Sequence, residues 1–467
     1  MKVYRAIARI FGIRVLSRAI GFLGLIYFAR RLGPSELGIF FLFQALVSFL
    51  AIPVDFGIRK AVEKRLSEGF DENGVFSTSL LMKIVPLSFI TILIIFSKNY
   101  INDYLGAELA LLLIVVLLLN DVSSLVIGVL YGQRQVGQTA GIQLVRGSFW
   151  VVVGVLLLEA GFGFVSLIYG LIVGYSVTFV WGFYKSSVRP RGPSFRYVSS
   201  LLDFSKYSLV TSVGYYSYSW MDVLIIGLFL TEAHVGAYEV SFKITEAVMI
   251  LSRTVSTTLF PEFSALDANE KKKQLENLIP GATTLAVFLV IPAFFGTLVL
   301  SRDILELLFG AEFGLAWIAL ILLMGENILQ SFQAIIGQSL QAIDRPELAA
   351  KAIIAFVPLN IILNLILIPN FGLPGAAAAT LISFFVNFLL HYRYLSWHLD
   401  FQLPHRELLV CVLASTIMSA AVFASKVTFG IESVPSLIGH IALGAVIYAG
   451  FTFLSSDVRK RASAYVQ

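Results

Sequence analysis

The chain has 467 residues, of which 58% are hydrophobic and 13% charged, and it carries a net charge of +5. A soluble domain holds about 25% charged residues, so this composition excludes a soluble globular protein. The positive surplus does not point to nucleic acid, because the basic residues sit in short loops beside apolar stretches, where they orient a membrane protein. The single cysteine, Cys411, lies within an apolar stretch and leaves neither a disulfide framework nor a cysteine-based metal site.

About fourteen apolar stretches follow one another, each long enough to cross a bilayer core of ~30 Å with ~20 residues. In chain order they cover residues 7–29, 37–56, 75–96, 105–130, 140–158, 164–184, 204–230, 235–260, 278–300, 315–342, 348–368, 373–397, 408–424 and 434–454. The first has a charged start, but Arg14 and Arg18 interrupt its apolar run and no small-residue cleavage site follows. It reads as a membrane helix rather than a removed signal. With Arg9, Lys206 and Arg393, near stretch ends, counted with the loops, loops on the side where the chain starts hold 22 of the 34 Lys and Arg residues, loops on the other side 5, and 7 lie inside the stretches. This bias predicts a multi-pass protein of the cell membrane with both ends cytoplasmic. Among the cytoplasmic groups are Arg59, Lys60, Lys64 and Arg65, then Lys271, Lys272 and Lys273, and a tail with Arg459, Lys460 and Arg461. The segment 186–200, with two prolines, is the longest cytoplasmic connection and the expected mid-chain linker.

A weak internal repeat accompanies these spans. Leu32-Gly33-Pro34-Ser35-Glu36-Leu37-Gly38-Ile39-Phe40 aligns with Leu230-Thr231-Glu232-Ala233-His234-Val235-Gly236-Ala237-Tyr238, and Gly161-Phe162-Gly163-Phe164 with Asn370-Phe371-Gly372-Leu373. Six spans per half is an even number, so both halves enter from the cytoplasm. The expected architecture is an all-α integral membrane protein with two six-helix lobes related by a parallel pseudo-two-fold repeat, plus two C-terminal helices. Residues 1–200 would form the N-lobe with the cytoplasmic linker, 201–400 the C-lobe, and 401–467 the last two helices and tail. A site is expected between the halves.

The embedded charges carry the functional question. At ~3 kcal/mol each, seven cations facing lipid would cost ~20 kcal/mol, comparable to or above a domain's net stability, so they must face one another or a wet cavity. Arg14 and Arg18 lie about 40° apart on one helical face with no acid within a turn, which suits an anion such as a phosphate or pyrophosphate. Glu239, Lys243, Glu246 and Arg253 form one charged stripe, in which Lys243 and Glu246 can satisfy each other. Glu326, Gln330, Gln333 and Gln341 share a face of the tenth span. Tyr215, Tyr218, Ser219 and Asp222 share a side of the seventh, where tyrosines suit sugar rings or simple aromatic packing. Asp222 is either a cation or proton site or a partner for an arginine. Asn360 and Asn364 add polarity to the eleventh span. Arg30 and Arg31, at a helix end, are expected to snorkel, as Lys83 and Lys351 can, and Arg146 can pair with an acid across helices.

No Gly-x-x-x-x-Gly-Lys-Ser/Thr loop, His-Glu-x-x-His pattern or Gly-x-Ser-x-Gly elbow occurs. Neither catalytic residues nor a metal or other cofactor are therefore expected, and no nucleic-acid partner.

At these residues the chain resembles the polysaccharide and lipid-linked oligosaccharide flippases (the Wzx type) of the multidrug/oligosaccharidyl-lipid/polysaccharide exporter superfamily. The resemblance covers essentially the whole chain. It is carried by Phe28-Ala29-Arg30-Arg31-Leu32-Gly33-Pro34-Ser35-Glu36-Leu37-Gly38, by Trp220-Met221-Asp222-Val223-Leu224-Ile225-Ile226-Gly227 with Val235-Gly236-Ala237-Tyr238, by Leu259-Phe260-Pro261-Glu262-Phe263-Ser264, by Leu305-Glu306-Leu307-Leu308-Phe309-Gly310, and by Asn364-Leu365-Ile366-Leu367-Ile368-Pro369 through Gly372-Leu373-Pro374-Gly375-Ala376-Ala377. Related lipid II flippases carry an arginine in a Ser-Arg-x-x-Gly-Phe segment, matched here by Ser17-Arg18-Ala19-Ile20-Gly21-Phe22. A second arginine of those proteins is Gly24 here, which argues against a lipid II substrate; Arg14 would serve instead.

The resemblance implies two lobes around a cavity that opens alternately to each side, and outward movement of a polyprenyl-(pyro)phosphate-linked glycan. Arg14 and Arg18 would bind the phosphate. Tyr215, Tyr218, Asp222, Glu239, Lys243, Glu246, Arg253, Glu326, Gln330, Gln333, Asn360 and Asn364 would line the glycan path. The lipid tail would stay among the membrane lipids, and glycosyltransferases or the polymerase of the same pathway are the implied protein partners. Two other functions fit less well. A cation-coupled small-molecule exporter of the same superfamily would want an acid-lined lobe, whereas the embedded excess is basic. An integral-membrane glycosyltransferase or polymerase would want a large outside loop or an Asp-x-Asp donor site, and neither occurs.

Overall fold

The computed structural model describes the backbone of residues 2–454 and the side chains of residues 12–452, apart from 207, 210 and 211. The expected basic tail at Arg459, Lys460 and Arg461 lies outside the described residues. Among those residues the chain is helical throughout, with no strand. The helices are α1 (Lys2–Asp55), α2 (Ile58–Ser67), α3 (Glu72–Phe96), α4 (Lys98–Leu105), α5 (Ala110–Gly132), α6 (Val136–Glu159), α7 (Val165–Lys185), α8 (Arg196–Phe229), α9 (Glu232–Val248), α10 (Ile250–Ala268), α11 (Lys272–Val287), α12 (Val290–Phe309), α13 (Trp317–Ala342), α14 (Pro346–Ser396), α15 (His405–Phe429) and α16 (Val434–Leu454).

Ten stretches of the described chain are long and apolar enough to cross a membrane. Two are too long to be single crossings. The 54-residue α1 breaks at Gly33, whose φ of 73° leaves the helical region, and the 51-residue α14 breaks at Gly372 with φ 62°. Only a residue without Cβ adopts this backbone freely, and Pro34 and Pro374 then restart a helix with a fixed φ. Gly163, aligned with Gly372 by sequence, also has positive φ (57°). Two expected spans are discontinuous: 235–260 breaks between α9 and α10 at Met249, and 278–300 breaks between α11 and α12. The expected seventh span starts earlier, at Arg196, and the fourth later, at Ala110 after the short α4.

The chain divides into two compact units, Met1–Gly236 and Ala237–Gln467, with the boundary near the start of α9. In the first unit, helices approach through small residues, the usual device where lipid removes any hydrophobic drive between helices. Gly128 and Gly132 of α5 face Arg59 and Glu63 of α2; Gly170 and Gly174 of α7 face Trp150 and Arg146 of α6. The first half of α1 packs on α6 through Gly24 against Val151 and Phe28 against Gly154. The expected linker is strapped to the start of α3. Asp71 caps that helix, the Arg189 amide donates to Asn73 Oδ1 (2.6 Å), the Arg191 amide to Ser77 Oγ (2.8 Å), and Ser194 and Thr78 exchange two bonds of 3.1 Å.

The second unit has an apolar cluster joining α10, α11, α13 and the end of α14, with Phe263, Leu275, Ile279, Ile335, Ile336 and Leu395 fully buried. Helices α15 and α16 pack on each other and on α12. Lys426 of α15 is clamped by Asp303 Oδ2 (2.5 Å) and the Val299 carbonyl (3.1 Å) of α12, and the Tyr448 hydroxyl donates to the Phe288 carbonyl (2.8 Å).

Candidate functional site

Arg14 and Arg18 lie in the first half of α1, and both side chains are exposed. Neither makes an ion pair among the described residues. At ~100° per residue, Leu25 and Ala29 continue the same face within an arc of about 60°. Those two are 6% and 1% exposed, whereas Leu16 and Leu23 on the opposite face are 51% and 65% exposed. The arginines thus occupy the azimuth that α1 buries three turns later, and its apolar back is the side suited to acyl chains. Arg146 of α6 finds no acid among the described residues; its guanidinium lies 5.7 Å over the Tyr175 ring of α7. On α8, Tyr215 is exposed, Ser219 bonds its carbonyl, and Asp222 is buried at 6%.

Arg31 does more than snorkel. It pairs with Glu159 Oε1 at the end of α6 (2.5 Å), and the Tyr27 hydroxyl donates to the same oxygen. Lys83 departs further from expectation. It is 3% exposed at the middle of α3, with its Nζ 2.7 Å from Asp55 Oδ1 and 2.5 Å from Asp121 Oδ1. Burial rules out snorkelling, and the two acids explain why a buried ammonium is tolerated.

The second unit holds the charged stripe as one continuous ladder. Lys243 Nζ stands 2.9 Å from Glu239 Oε1 and 3.2 Å from Glu246 Oε2, and Arg253 Nη1 stands 3.6 Å from Glu246 Oε1 across the break at Met249. Glu239 is 1% exposed, the others about a third. On α13 the shared face is graded: Glu326 and Gln330 are buried, Gln333 is half-buried and Gln341 exposed. Asn360 and Asn364 are buried on the first half of α14; Asn364 donates to Asn360 (3.1 Å), which donates to Thr380 on the second half (3.3 Å).

Sequence reasoning missed three groups. Asp55 and Asp121 complete the lysine cluster. Asn327 of α13 donates to the Thr245 carbonyl of α9 (2.8 Å). His391 of α14, 1% exposed, lies 3.4 Å from Gln333 Nε2. The only available signal was that each is a polar residue in an apolar run.

This is a multi-pass helical membrane protein whose interior carries cations and polar ladders. The chain belongs to the polysaccharide biosynthesis protein family, whose family model matches residues 27–317. It is 43% identical over 462 residues to the probable low-salt glycan biosynthesis flippase Agl15 of Haloferax volcanii, covering 99% of this chain and 98% of that one. It is 30% identical to the probable flippase AglR of the same organism, covering 98% of each. Its fold matches that of lipid II flippase MurJ in an inward closed conformation, with a TM-score of 0.82 at 18% identity over 95% of this chain and 98% of that one.

Proposed function

We propose that the protein is a flippase that moves a polyprenyl-phosphate- or pyrophosphate-linked glycan from the cytoplasmic to the outer leaflet of the cell membrane by alternating access. The observation that carries this reading is the Arg14–Arg18 pair, two cations without acidic partners among the described residues on the face that α1 otherwise buries, in a chain similar to proteins named as a probable glycan biosynthesis flippase and a probable flippase. Two guanidinium forks on adjacent turns match the oxygens of a phosphate or pyrophosphate. Glycan-binding polar side chains in this reading are Tyr215, Tyr218 and Asp222 in the first unit and, in the second, the ladder from Glu239 to Arg253 with Glu326, Gln330, Gln333, Asn360 and Asn364. The polyprenyl tail remains in the bilayer. The Lys and Arg bias supports an orientation with both termini in the cytoplasm. No bond is made or broken in this scheme, and the pathway's glycosyltransferases or polymerase act before and after it.

Reconstitution tests the reading. In proteoliposomes loaded with a fluorescent polyprenyl-pyrophosphate oligosaccharide, wild type should make the inner-leaflet population accessible to an added lectin, and an Arg14→Ala/Arg18→Ala double variant should not. Equal accessibility with and without protein would refute it.

A further inference from the structure

The buried cluster of Lys83, Asp55 and Asp121 is used by nothing described so far. It joins three helices: Asp55 ends α1, Lys83 is at the middle of α3 and Asp121 at the middle of α5. Lys83 and Asp121 are 3% and 4% exposed, and Asp55 is 23% exposed, so the cluster opens to the surface on the Asp55 side, at the end of α1. Two carboxylates share one ammonium. With all three ionised the cluster carries a net charge of −1 where the surroundings solvate charge poorly.

The groups around it do not restore neutrality. Arg59 of α2 donates its backbone N–H to Asp55 Oδ1 (3.2 Å), but its side-chain stem lies along α5 at Gly128, and it forms no ion pair among the described residues. Tyr216 of α8 stands within electrostatic reach of Asp55, Arg59 and Tyr175, and Arg146 of α6 lies over the Tyr175 ring of α7. The missing positive charge is best supplied by the smallest one. The ammonium already fills the space between the acids, and two carboxylates alone do not replace the hydration shell of a metal ion.

We propose that this triad is a proton-binding site that couples proton movement to flipping, a role that rests on the flippase reading given above. A proton from water on the Asp55 side adds to a carboxylate oxygen, giving one carboxylic acid, one carboxylate and one ammonium with no net charge. Its return to water restores the −1 state. The loaded and unloaded triads differ in how strongly Lys83 ties α3 to α1 and α5, so a proton gradient can bias the arrangement of these helices.

Infrared difference spectroscopy of the full-length protein in nanodiscs tests binding directly. Wild type should show the carbonyl stretch of a protonated carboxylic acid that titrates with pH and shifts in deuterated water. Asp55→Asn/Asp121→Asn should lose it, and Glu246→Gln should keep it. Lys83→Met, leaving two carboxylates without their cation, should move the titration to higher pH. Absence of the band, or its persistence in the double variant, overturns the site. Coupling is read in the proteoliposome assay: an imposed pH gradient should change the wild-type flipping rate and leave Asp121→Asn unaffected. A wild-type rate indifferent to the gradient, with the band present, reduces the triad to a structural clamp and overturns the coupling. If wild type moves no glycan lipid, the functional reading fails while the infrared titration still decides proton binding.

Discussion

Gly38 and Gly236 meet backbone to backbone within the first unit. A Cβ on Gly38 would stand 1.8 Å from the Glu232 carbonyl oxygen, and a Cβ on Gly236 would stand 2.0 Å from the Pro34 carbonyl oxygen. The contact is reciprocal, and it joins the two turns that the sequence alignment pairs, Leu32–Phe40 with Leu230–Tyr238. Each helix start uses its fifth-residue glycine to admit the other's first carbonyl, the close approach that small residues permit in membranes.

Gly38→Ala and Gly236→Ala should each destabilise the protein by about 1–3 kcal/mol, since the obstructing atoms are backbone and cannot rotate away. The double variant should lose less than the sum, because both changes open the same contact. Unfolding midpoints of the purified protein check this. Two wild-type-like single variants would show that the helices separate at no cost.

Arg18→Ala should abolish glycan export in a complementation assay while the protein still inserts at the normal level. Arg18→Lys should restore a fraction at best, because an ammonium lacks the guanidinium fork. Arg14→Ala should also reduce export, with the double variant no worse than the more severe single, as expected for groups that bind one phosphate together. Full export by Arg18→Ala would remove the phosphate role.

Much of this was legible in the sequence, because membrane spans are written as length and apolarity and those are local. The break at Gly33 is visible as Gly-Pro between apolar runs, and the Glu239–Arg253 ladder follows from helical spacing. The Lys83 triad was not legible. Asp55, Lys83 and Asp121 sit on three different helices, and no periodicity relates residues 28 and 38 positions apart. The Gln333–His391 contact is hidden for the same reason, 58 positions apart. Sequence spacing reports partners on one helix, whereas tertiary packing chooses those across helices.

Glu68, just past the C-terminal end of α2, accepts from Arg65 (2.9 Å) and stands 3.1 Å from Lys64, and these hydrogen bonds hold its carboxyl below the ordinary glutamate range. A depressed carboxylate stabilises the fold above its unfolded-state pKa, and that stabilisation is lost as pH falls through the folded value. The carboxyl is fully exposed, so the effect is small and screened. Glu68→Gln should lower the unfolding midpoint slightly at neutral pH and low salt. The difference should vanish in high salt, and it should fade as pH falls below about 4.3, through the lowered folded value. A difference that grows with acid would have the wrong sign.

The ladder on α9 and α10 should respond unequally to loss of its members. Lys243 bridges Glu239, which is 1% exposed, and Glu246, which is 33% exposed. Lys243→Met removes the cation beside a buried carboxylate, and breaking a buried pair from one side costs about 3–5 kcal/mol. Glu246→Gln leaves Lys243 its buried partner and should cost under about 1 kcal/mol, as for a pair with both members partly exposed. On export, a Glu246→Gln and Lys243→Gln double-mutant cycle should be non-additive, because removing the acid alone leaves the lysine bound more tightly to Glu239 and less available to a substrate phosphate. The pairs can act as a latch only if substrate competes for Lys243 or Arg253, since a ligand shifts an equilibrium solely through contacts that differ between its states. Additive effects on export would mean that the two residues do not act as a pair, and equal destabilisation by Lys243→Met and Glu246→Gln would contradict the burial gradient from which the asymmetry is derived.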